Sequence, residues 1–297
     1  MERSSLARSQ KPLLVDSLER IRLTTRVSQQ EWLDLLGVHW DEYQSFKSGH
    51  SAIEERAIEA VARRFNFPSH AFINDEIDYR ALALSVEAKE RVPERYLRAA
   101  HGRRRATMNS VDYLERIGGW RLRLDVIEKF EFPEIELQDA FAPISVLFMT
   151  DLCSYLHRRQ FRSSVLFSMG AYTFEATKKT IVGQLFSAMS SVKELYEHFF
   201  SDCMRLFEAN CDYRLTKIDA EGGVLEISSN SHVAGDLGVV HIGNKHLCQF
   251  KAGMIACIPM YLGRPMARVE ETSCVHRGDT VCRFEFSFSE VGTVTPP

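Results

Sequence analysis

The sequence predicts an α+β protein with an all-helical N-terminal domain and a C-terminal domain that combines helices with antiparallel strands. Apolar residues recur at helical spacing through the first 75 residues. From about residue 211 they alternate with polar residues instead, as they do in half-buried strands. A chain of 297 residues is long enough for about two domains of roughly 150 residues each.

Composition and charge limit the classes of protein to which the chain can belong. Hydrophobic residues make up 45% and charged residues 26%, as in globular rather than disordered or fibrous proteins. The 37 Lys and Arg nearly balance the 40 Asp and Glu, which argues against a surface that binds nucleic acid everywhere but permits a local basic patch. The sequence has no membrane-spanning apolar run and no secretory signal. We therefore expect a cytoplasmic protein.

Short helices are predicted in order along the first domain. The first carries an apolar stripe over residues 14–21. A capping box at Ser28–Glu31 starts the second helix, which ends at Gly37. A third helix is expected over 38–47, and a second capping box over 51–54 leads into a fourth. A helix, a glycine turn and a second helix in this order predict a helix-turn-helix domain over residues 1–75.

Three short motifs in this domain stand at the spacing found in one DNA-binding family. They are Ser28-Gln29-Gln30-Glu31, Leu35-Leu36-Gly37-Val38 and Lys47-Ser48-Gly49. Through them, residues 14–73 resemble the Cro/Xre-like family, which implies DNA binding. The residues of this domain expected to contact DNA are Gln29, Gln30, His39, Trp40, Gln44 and Lys47.

The charges of the predicted third helix leave a second interpretation open. Asp41 and Glu42 would face phosphate-rich DNA, where basic or amide side chains are expected. Residues 1–75 contain ten Lys and Arg against eleven Asp and Glu. The alternative is that this domain binds another protein, with an exposed Trp40 as the anchor.

Residues 76–123 are predicted to form a helical connector rich in arginine. Nine Arg and three acidic residues give residues 91–123 a local charge of +6. The segment is either a solvated helix surface or interdomain face, or an arm that contacts phosphates. On the second interpretation, Arg103, Arg104 and Arg105 contribute to DNA binding.

Residues 124–290 are predicted to form the α+β domain, followed by a tail over 291–297. Apolar stripes indicate helices up to about residue 210. A hairpin is predicted over 213–228, then a helix over 244–262, and a second hairpin over 266–288.

Four of the seven cysteines fall in the last 50 residues. An odd number of cysteines in a chain without an export signal argues against a disulfide framework. A three-residue loop over 277–279 would place Cys274 opposite Cys282, and Cys248 lies on the helix expected to cover them. Three thiols and one oxygen or nitrogen ligand would form a tetrahedral zinc site. Buried hydrophobic cysteines and a reversible disulfide are the alternatives.

The segment Cys274–Phe286 (CVHRGDTVCRFEF) resembles the closing hairpin of the 4-vinyl reductase domain family, whose fold is shared with TRAPP subunits. The resemblance covers about residues 140–290. It implies a zinc site of two hairpin cysteines, one cysteine on the preceding helix and an upstream acid. Cys274, Cys282 and Cys248 match the thiol positions, and Glu226 is the acid nearest in spacing.

The same resemblance implies an apolar pocket for a small hydrophobic ligand. The residues expected to line it are Phe250, Met254, Ile258 and Tyr261. The motifs of serine hydrolases, zinc proteases and nucleotide-binding enzymes are absent, so we expect a protein that is not an enzyme.

These observations together predict a one-component transcriptional regulator that binds DNA and senses a small hydrophobic ligand. It would act as a homodimer, because helix-turn-helix proteins usually read two half-sites. The alternative is a ligand-controlled protein-interaction module whose N-terminal domain no longer binds DNA.

Overall fold

The computed structural model describes residues 3–74, 76–87 and 91–288 and confirms the α+β class. The predicted tail, 291–297, lies outside the described residues. The chain divides into two compact units. The first contains Met1–Arg91, Trp120–Lys129 and Pro133–Ile135; the second contains Val92–Gly119, Phe130–Phe132 and Glu136–Pro297. The predicted connector, residues 76–123, is shared between them.

The first unit is helical. Its helices are α1 (Arg3–Thr24), α2 (Gln29–Leu36), α3 (Trp40–Lys47), α4 (Glu55–Arg64), α5 (Ala71–Asn74) and α6 (Tyr79–Glu87). The predicted capping box of α2 is present, since the Ser28 hydroxyl accepts from the Glu31 amide at 3.3 Å and the Glu31 carboxylate accepts from the Ser28 amide at 3.1 Å. Gly37 ends α2 with a φ of 64°, as predicted.

The starts of α3 and α4 differ from the prediction. The α3 helix begins at Trp40 rather than Val38, because His39 is its N-cap and the Glu42 carboxylate accepts from the His39 amide at 2.8 Å. The capping box predicted over 51–54 is wrong. Glu54 is the N-cap of α4 and makes no side-chain capping hydrogen bond.

A buried polar chain fixes the core of the first unit. Trp32 donates to the Tyr43 hydroxyl at 3.1 Å, and that hydroxyl donates to the Glu19 carboxylate. Arg22 and Lys47 lie 3.4 and 3.3 Å from the same carboxylate. The charge of Glu19 is therefore compensated, as a poorly solvated carboxylate requires.

The second unit combines helices with a two-stranded sheet and a four-stranded sheet. Its strands are β1 (Gly102–Arg103), β2 (Pro143–Ile144), β3 (Cys211–Ile218), β4 (Gly222–Ser229), β5 (Arg268–Ser273) and β6 (Cys282–Ser287), of which β1 and β2 form the two-stranded sheet. Its helices are α8 (Val146–Arg158), α9 (Ser163–Thr177), α10 (Ile181–Ser187), α11 (Val192–His198), α12 (Met204–Phe207), α13 (Ser231–Leu237) and α14 (Lys245–Ala256). The helix α7 (Arg105–Lys129) has residues in both units and is interrupted at Gly119, whose φ is 71°.

The four-stranded sheet is antiparallel, with its strands in the order β3-β4-β6-β5. Both predicted hairpins are confirmed, but the second has a longer loop than predicted. A 3-10 turn over Val275–Arg277 separates its strands, and Gly278 follows with a φ of 99°. The Asp279 carboxylate holds this loop by accepting from the Cys274 amide at 2.7 Å.

Two glycines allow α14 to pack closely against α9. A methyl group on Gly253 would lie 1.8 Å from the carbonyl oxygen of Phe167, and one on Gly170 would lie 1.9 Å from the carbonyl oxygen of Phe250. Tyr196 of α11 holds the end of α14 by donating to the Ile255 carbonyl at 2.9 Å. Within the described residues, no helix is long and apolar enough to cross a membrane.

Candidate functional site

Three cysteines and a glutamate form a buried cluster in the second unit. Cys248 comes from α14, Cys274 directly follows β5, and Cys282 begins β6. The Cys248 sulfur lies 3.8 Å from each of the other two sulfurs, which are 3.9 Å apart. A carboxylate oxygen of Glu271 completes the set, in which all four ligand atoms lie within 4.8 Å of one another.

These distances match a tetrahedral metal site. With zinc–sulfur bonds of about 2.3 Å, the edges of a tetrahedron of sulfurs measure about 3.8 Å. A disulfide requires a sulfur–sulfur distance of about 2.05 Å, so none of the three pairs is bonded. The geometry therefore favours metal binding over the reversible disulfide.

The acid in this cluster is Glu271, not the predicted Glu226. Glu226 lies next in sequence to Ile227, which pairs with Cys282, so its side chain points to the opposite face of the sheet. There its carboxylate is paired with Arg214 and, at 3.1 Å, with Arg283. The prediction of Glu226 as a ligand is wrong for this reason.

Glu271 reaches the thiol face because of an irregularity in β5. In a regular strand, residues three apart in sequence point to opposite faces, which places Glu271 away from Cys274. The register of β5 shifts between Glu271 and Ser273, and such a shift reverses the alternation. One carboxylate oxygen of Glu271 faces Arg277 at 3.4 Å, and the other is buried without a hydrogen-bond partner.

The thiols of the cluster differ in acidity. A hydrogen bond from the Cys248 thiol lowers the pKa of Cys282 to about 6, although burial of the sulfur raises it. Burial raises the pKa of Cys274 to about 11. Cys282 is therefore the more acidic of these two thiols, because the neighbouring Cys248 thiol donates to its sulfur. A bound metal would displace the thiol protons.

A cavity of about 130 Å³ lies in the same unit. Three of the predicted ligand residues, Phe250, Met254 and Tyr261, line it. Ile258 is fully buried and is not among the described lining residues, so its prediction as a pocket residue is wrong. The other aromatic residues that line the cavity are Phe186, Phe199, Phe207 and Tyr213.

Lys251 of α14 also lines the cavity, and sequence reasoning missed it. Its ammonium lies 3.1 Å from the Cys211 sulfur and 5.3 Å from the centre of the Tyr213 ring. Burial lowers the pKa of Lys251, but the nearby Cys211, Tyr213 and Glu208 outweigh burial and raise it. Lys251 therefore remains a buried cation.

The three arginines predicted to contact phosphates have different surroundings. Arg103 is exposed and donates to the Phe141 carbonyl at 3.3 Å. Arg104 is only 7% exposed, and its guanidinium is paired with Glu136. Arg105 is half-buried and lines the cavity. Arg104 therefore does not serve in a phosphate-contacting arm, because its charge is buried and paired, whereas DNA binding by Arg103 and Arg105 stays a prediction.

The residues expected to contact DNA from the first unit are mostly exposed. Gln29, Gln30, His39 and Trp40 lie on the surface, and Gln44 is half-buried. The last of this group, Lys47, is paired with Glu19. DNA binding, the alternative of protein docking, homodimer formation and the absence of enzymatic activity stay predictions.

No protein-family model and no curated protein matches this chain. Solved structures that it resembles include H-NOX proteins. A Fe(II) unliganded H-NOX protein from K. algicida is 12% identical, with 64% of this chain and 97% of that chain covered and a TM-score of 0.46. An H-NOX protein from S. oneidensis in the Fe(II)NO ligation state is 11% identical, with 63% and 99% covered and a TM-score of 0.46.

Similarity at this level carries no inference about the function of this chain. The predicted resemblance to the Cro/Xre-like and 4-vinyl reductase families is wrong, since no family model matches and the solved structures found are H-NOX proteins. The thiol cluster and the cavity rest on their own geometry.

Proposed function

We propose that the second unit binds a small molecule in its cavity, and that the nearby thiol cluster holds a structural zinc ion. The observation that carries the first part is the cavity itself. An engineered apolar cavity of about 150 Å³ is known to bind benzene, so a space of about 130 Å³ suits a molecule of one aromatic ring. Ligand pockets of this kind are mostly apolar with a few polar groups, as here.

Toluene is the first probe for this proposal, because it tests the apolar part of the cavity alone. A ligand that binds only the folded state raises the stability by about 2.7 kcal/mol at 100 times its Kd. We expect toluene to raise the melting temperature of the protein in a concentration-dependent manner. An unchanged melting temperature up to saturation with toluene would contradict the proposal.

A variant that fills the cavity provides the specific control. Ala106 lines the cavity, and the Ala106→Phe substitution would place a ring inside it. We expect this variant to fold and to lose the response to toluene. Ala188→Phe adds the same ring at an exposed position outside the cavity and should keep the response. Equal responses of the two variants would show that toluene acts elsewhere.

The donor set and one unpartnered oxygen support the zinc part of the proposal. Three cysteine thiolates and a carboxylate are ligands that Zn²⁺ accepts in tetrahedral sites. A buried carboxylate oxygen without a partner, as in Glu271, is costly unless something binds it. A bound zinc would supply this contact and would tie α14 to the hairpin of β5 and β6.

Elemental analysis of protein purified without chelator tests the zinc site. We expect about one zinc per chain, and loss of zinc in Cys274→Ser. Glu271→Gln should bind zinc more weakly, whereas Glu226→Gln should bind it normally. Cys203→Ser removes a half-exposed thiol outside the cluster and should also leave zinc unchanged. Absence of zinc, or equal zinc content in the Cys274→Ser and Cys203→Ser variants, would refute the proposal.

A further inference from the structure

Most of the unpartnered buried polar atoms of the described residues belong to residues that line the cavity. Among the residues that the structure describes, seven buried side-chain nitrogen or oxygen atoms have no hydrogen-bond partner, and five of them are in cavity-lining residues. These five are Arg105 Nε, Thr107 Oγ1, Asn109 Nδ2, Asn210 Nδ2 and Asn210 Oδ1. Thr107, Asn109 and Asn210 are at most 3% exposed. Because native proteins pair nearly all such atoms, this concentration points to a ligand.

The unpartnered atoms are mainly donors. The nitrogens of Arg105, Asn109 and Asn210 can only donate, and the Thr107 hydroxyl can donate or accept. A ligand that satisfies these donors must carry several acceptor lone pairs. A carboxylate has about four such sites on its two oxygens, and it carries no hydrogen-bond donor of its own.

Basic residues outnumber acidic ones in the lining of the cavity, which favours an anion; the charged lining residues are Arg103, Arg105, Lys251 and Glu208. The Lys251 ammonium lies near the Glu208 carboxylate. This carboxylate also accepts a hydrogen bond from the Tyr213 hydroxyl. Within the part of the chain that the structure describes, the Arg105 guanidinium stacks on Phe141 and Phe207, at 4.9 and 5.5 Å, and forms no ion pair with a carboxylate. Burial lowers the pKa of Arg105, which shows that its charge is poorly solvated.

Helix α7 adds to the same potential. Its first residues, Arg105, Ala106 and Thr107, line the cavity. The N-terminal end of a helix carries a partial positive charge and favours an anion by a modest amount. The aromatic side chains on the other walls suit an aromatic ring.

We propose that the cavity binds a small aromatic carboxylate, whose charged group is held by Arg105 together with the amides of Asn109 and Asn210. This inference rests on the proposed function, that the cavity is a ligand site, and adds the chemical class of the ligand. The ring occupies the apolar part of the cavity, and the carboxylate satisfies donors that have no partner within the protein.

Benzoate and benzamide are the matched probes, since they share the ring and differ in charge. Measured by calorimetry at one ionic strength, benzoate should bind at least about 10-fold more tightly, as expected for hydrogen bonds to a charged group. The inference is overturned if benzamide binds as tightly as benzoate. If toluene binds and benzoate does not, this inference fails and the proposed function stands. If none of the three binds, both fail.

Two substitutions separate Arg105 from general surface charge. Arg105→Gln should remove the preference for benzoate, while toluene still binds and thereby reports a folded cavity. Arg116→Gln removes an exposed charge from the same helix, outside the cavity, and should keep the preference. A preference that survives Arg105→Gln, or that both variants lose equally, would overturn the role of Arg105.

Asn109→Leu distinguishes a ligand-binding amide from a structural one. Replacing an unpartnered buried amide with an apolar group of similar size should raise the melting temperature of the ligand-free protein by a few degrees. The same change should weaken benzoate binding about 10-fold or more. A lower melting temperature with unchanged benzoate binding would show that the amide serves the fold, and would overturn its role here.

Discussion

The close crossing of α9 and α14 gives a sharp test of the second unit. Gly253→Ala would place a methyl group 1.8 Å from the Phe167 carbonyl oxygen, whereas ordinary van der Waals contact begins at 3.4 Å. The difference, about 1.6 Å, must come from movement of the helix backbones, because the obstructing atom belongs to the main chain. Overpacking of this kind costs about 1–3 kcal/mol, occasionally more.

Thermal unfolding followed by far-ultraviolet circular dichroism measures this effect. For domains of roughly 150–250 residues, 1 kcal/mol corresponds to about 2–4 °C, so the melting temperature should fall by about 2–12 °C. Tryptophan fluorescence does not replace this measurement. The three tryptophans, Trp32, Trp40 and Trp120, all belong to the first unit.

The matched control is the same substitution at a helical glycine with free space. A methyl group on Gly235 of α13 meets nothing within 4 Å, and the residue is exposed. Alanine favours helix over glycine by about 0.5–1 kcal/mol, so Gly235→Ala should raise the melting temperature slightly. If Gly253→Ala is as stable as wild type, or if both variants shift in the same direction, the close crossing of α9 and α14 is wrong.

Two further predictions concern buried charges. Arg104→Met should lower the free energy of unfolding, measured in urea, by about 1.5–3 kcal/mol, because it breaks a charged hydrogen bond to Glu136. The exposed control Arg103→Met should change this free energy by less than about 0.5 kcal/mol. Equal effects would contradict the burial of Arg104. Burial raises the pKa of Glu19, but the Tyr43 hydrogen bond and the charges of Arg22 and Lys47 outweigh it and lower the pKa below its ordinary value of 4.5. This stabilisation is present above pH 4.5 and is lost as the pH falls through the lower, folded-state pKa. Glu19→Gln should therefore flatten the acid dependence of unfolding, followed by tryptophan fluorescence. An unchanged dependence would refute the assignment to Glu19.

The features that the sequence predicted correctly depend on local pattern. The capping box at Ser28–Glu31 and the left-handed Gly37 involve residues a few positions apart, so the chain itself records them. The two hairpins follow from alternation and short connections. The convergence of Cys248, Cys274 and Cys282 followed from inward parity along β6 and from a helix expected to cover that face.

The failures depend on irregular or long-range structure. The register shift in β5 brings Glu271 to the thiols, and a periodicity of two assigns it to the other face. The positive charge of residues 91–123 left a phosphate-contacting arm open as one of two interpretations. A count of charges does not show that Glu136, 32 residues away in sequence, pairs with Arg104. The unpartnered state of Asn109 and Asn210 is visible only once every neighbouring side chain is placed.

Helix α14 explains why the sequence did not separate the two sites. Eight of its twelve residues are buried, so it has no single apolar face for periodicity to reveal. Cys248 points to the thiol cluster, whereas Phe250 and Met254 of the same helix line the cavity. A helix behaves as a rigid element over twelve residues, so displacement of α14 at Gly253 moves groups of both sites. Gly253→Ala should therefore impair zinc retention and toluene binding together, whereas a change confined to one site would show that α14 does not act as one body.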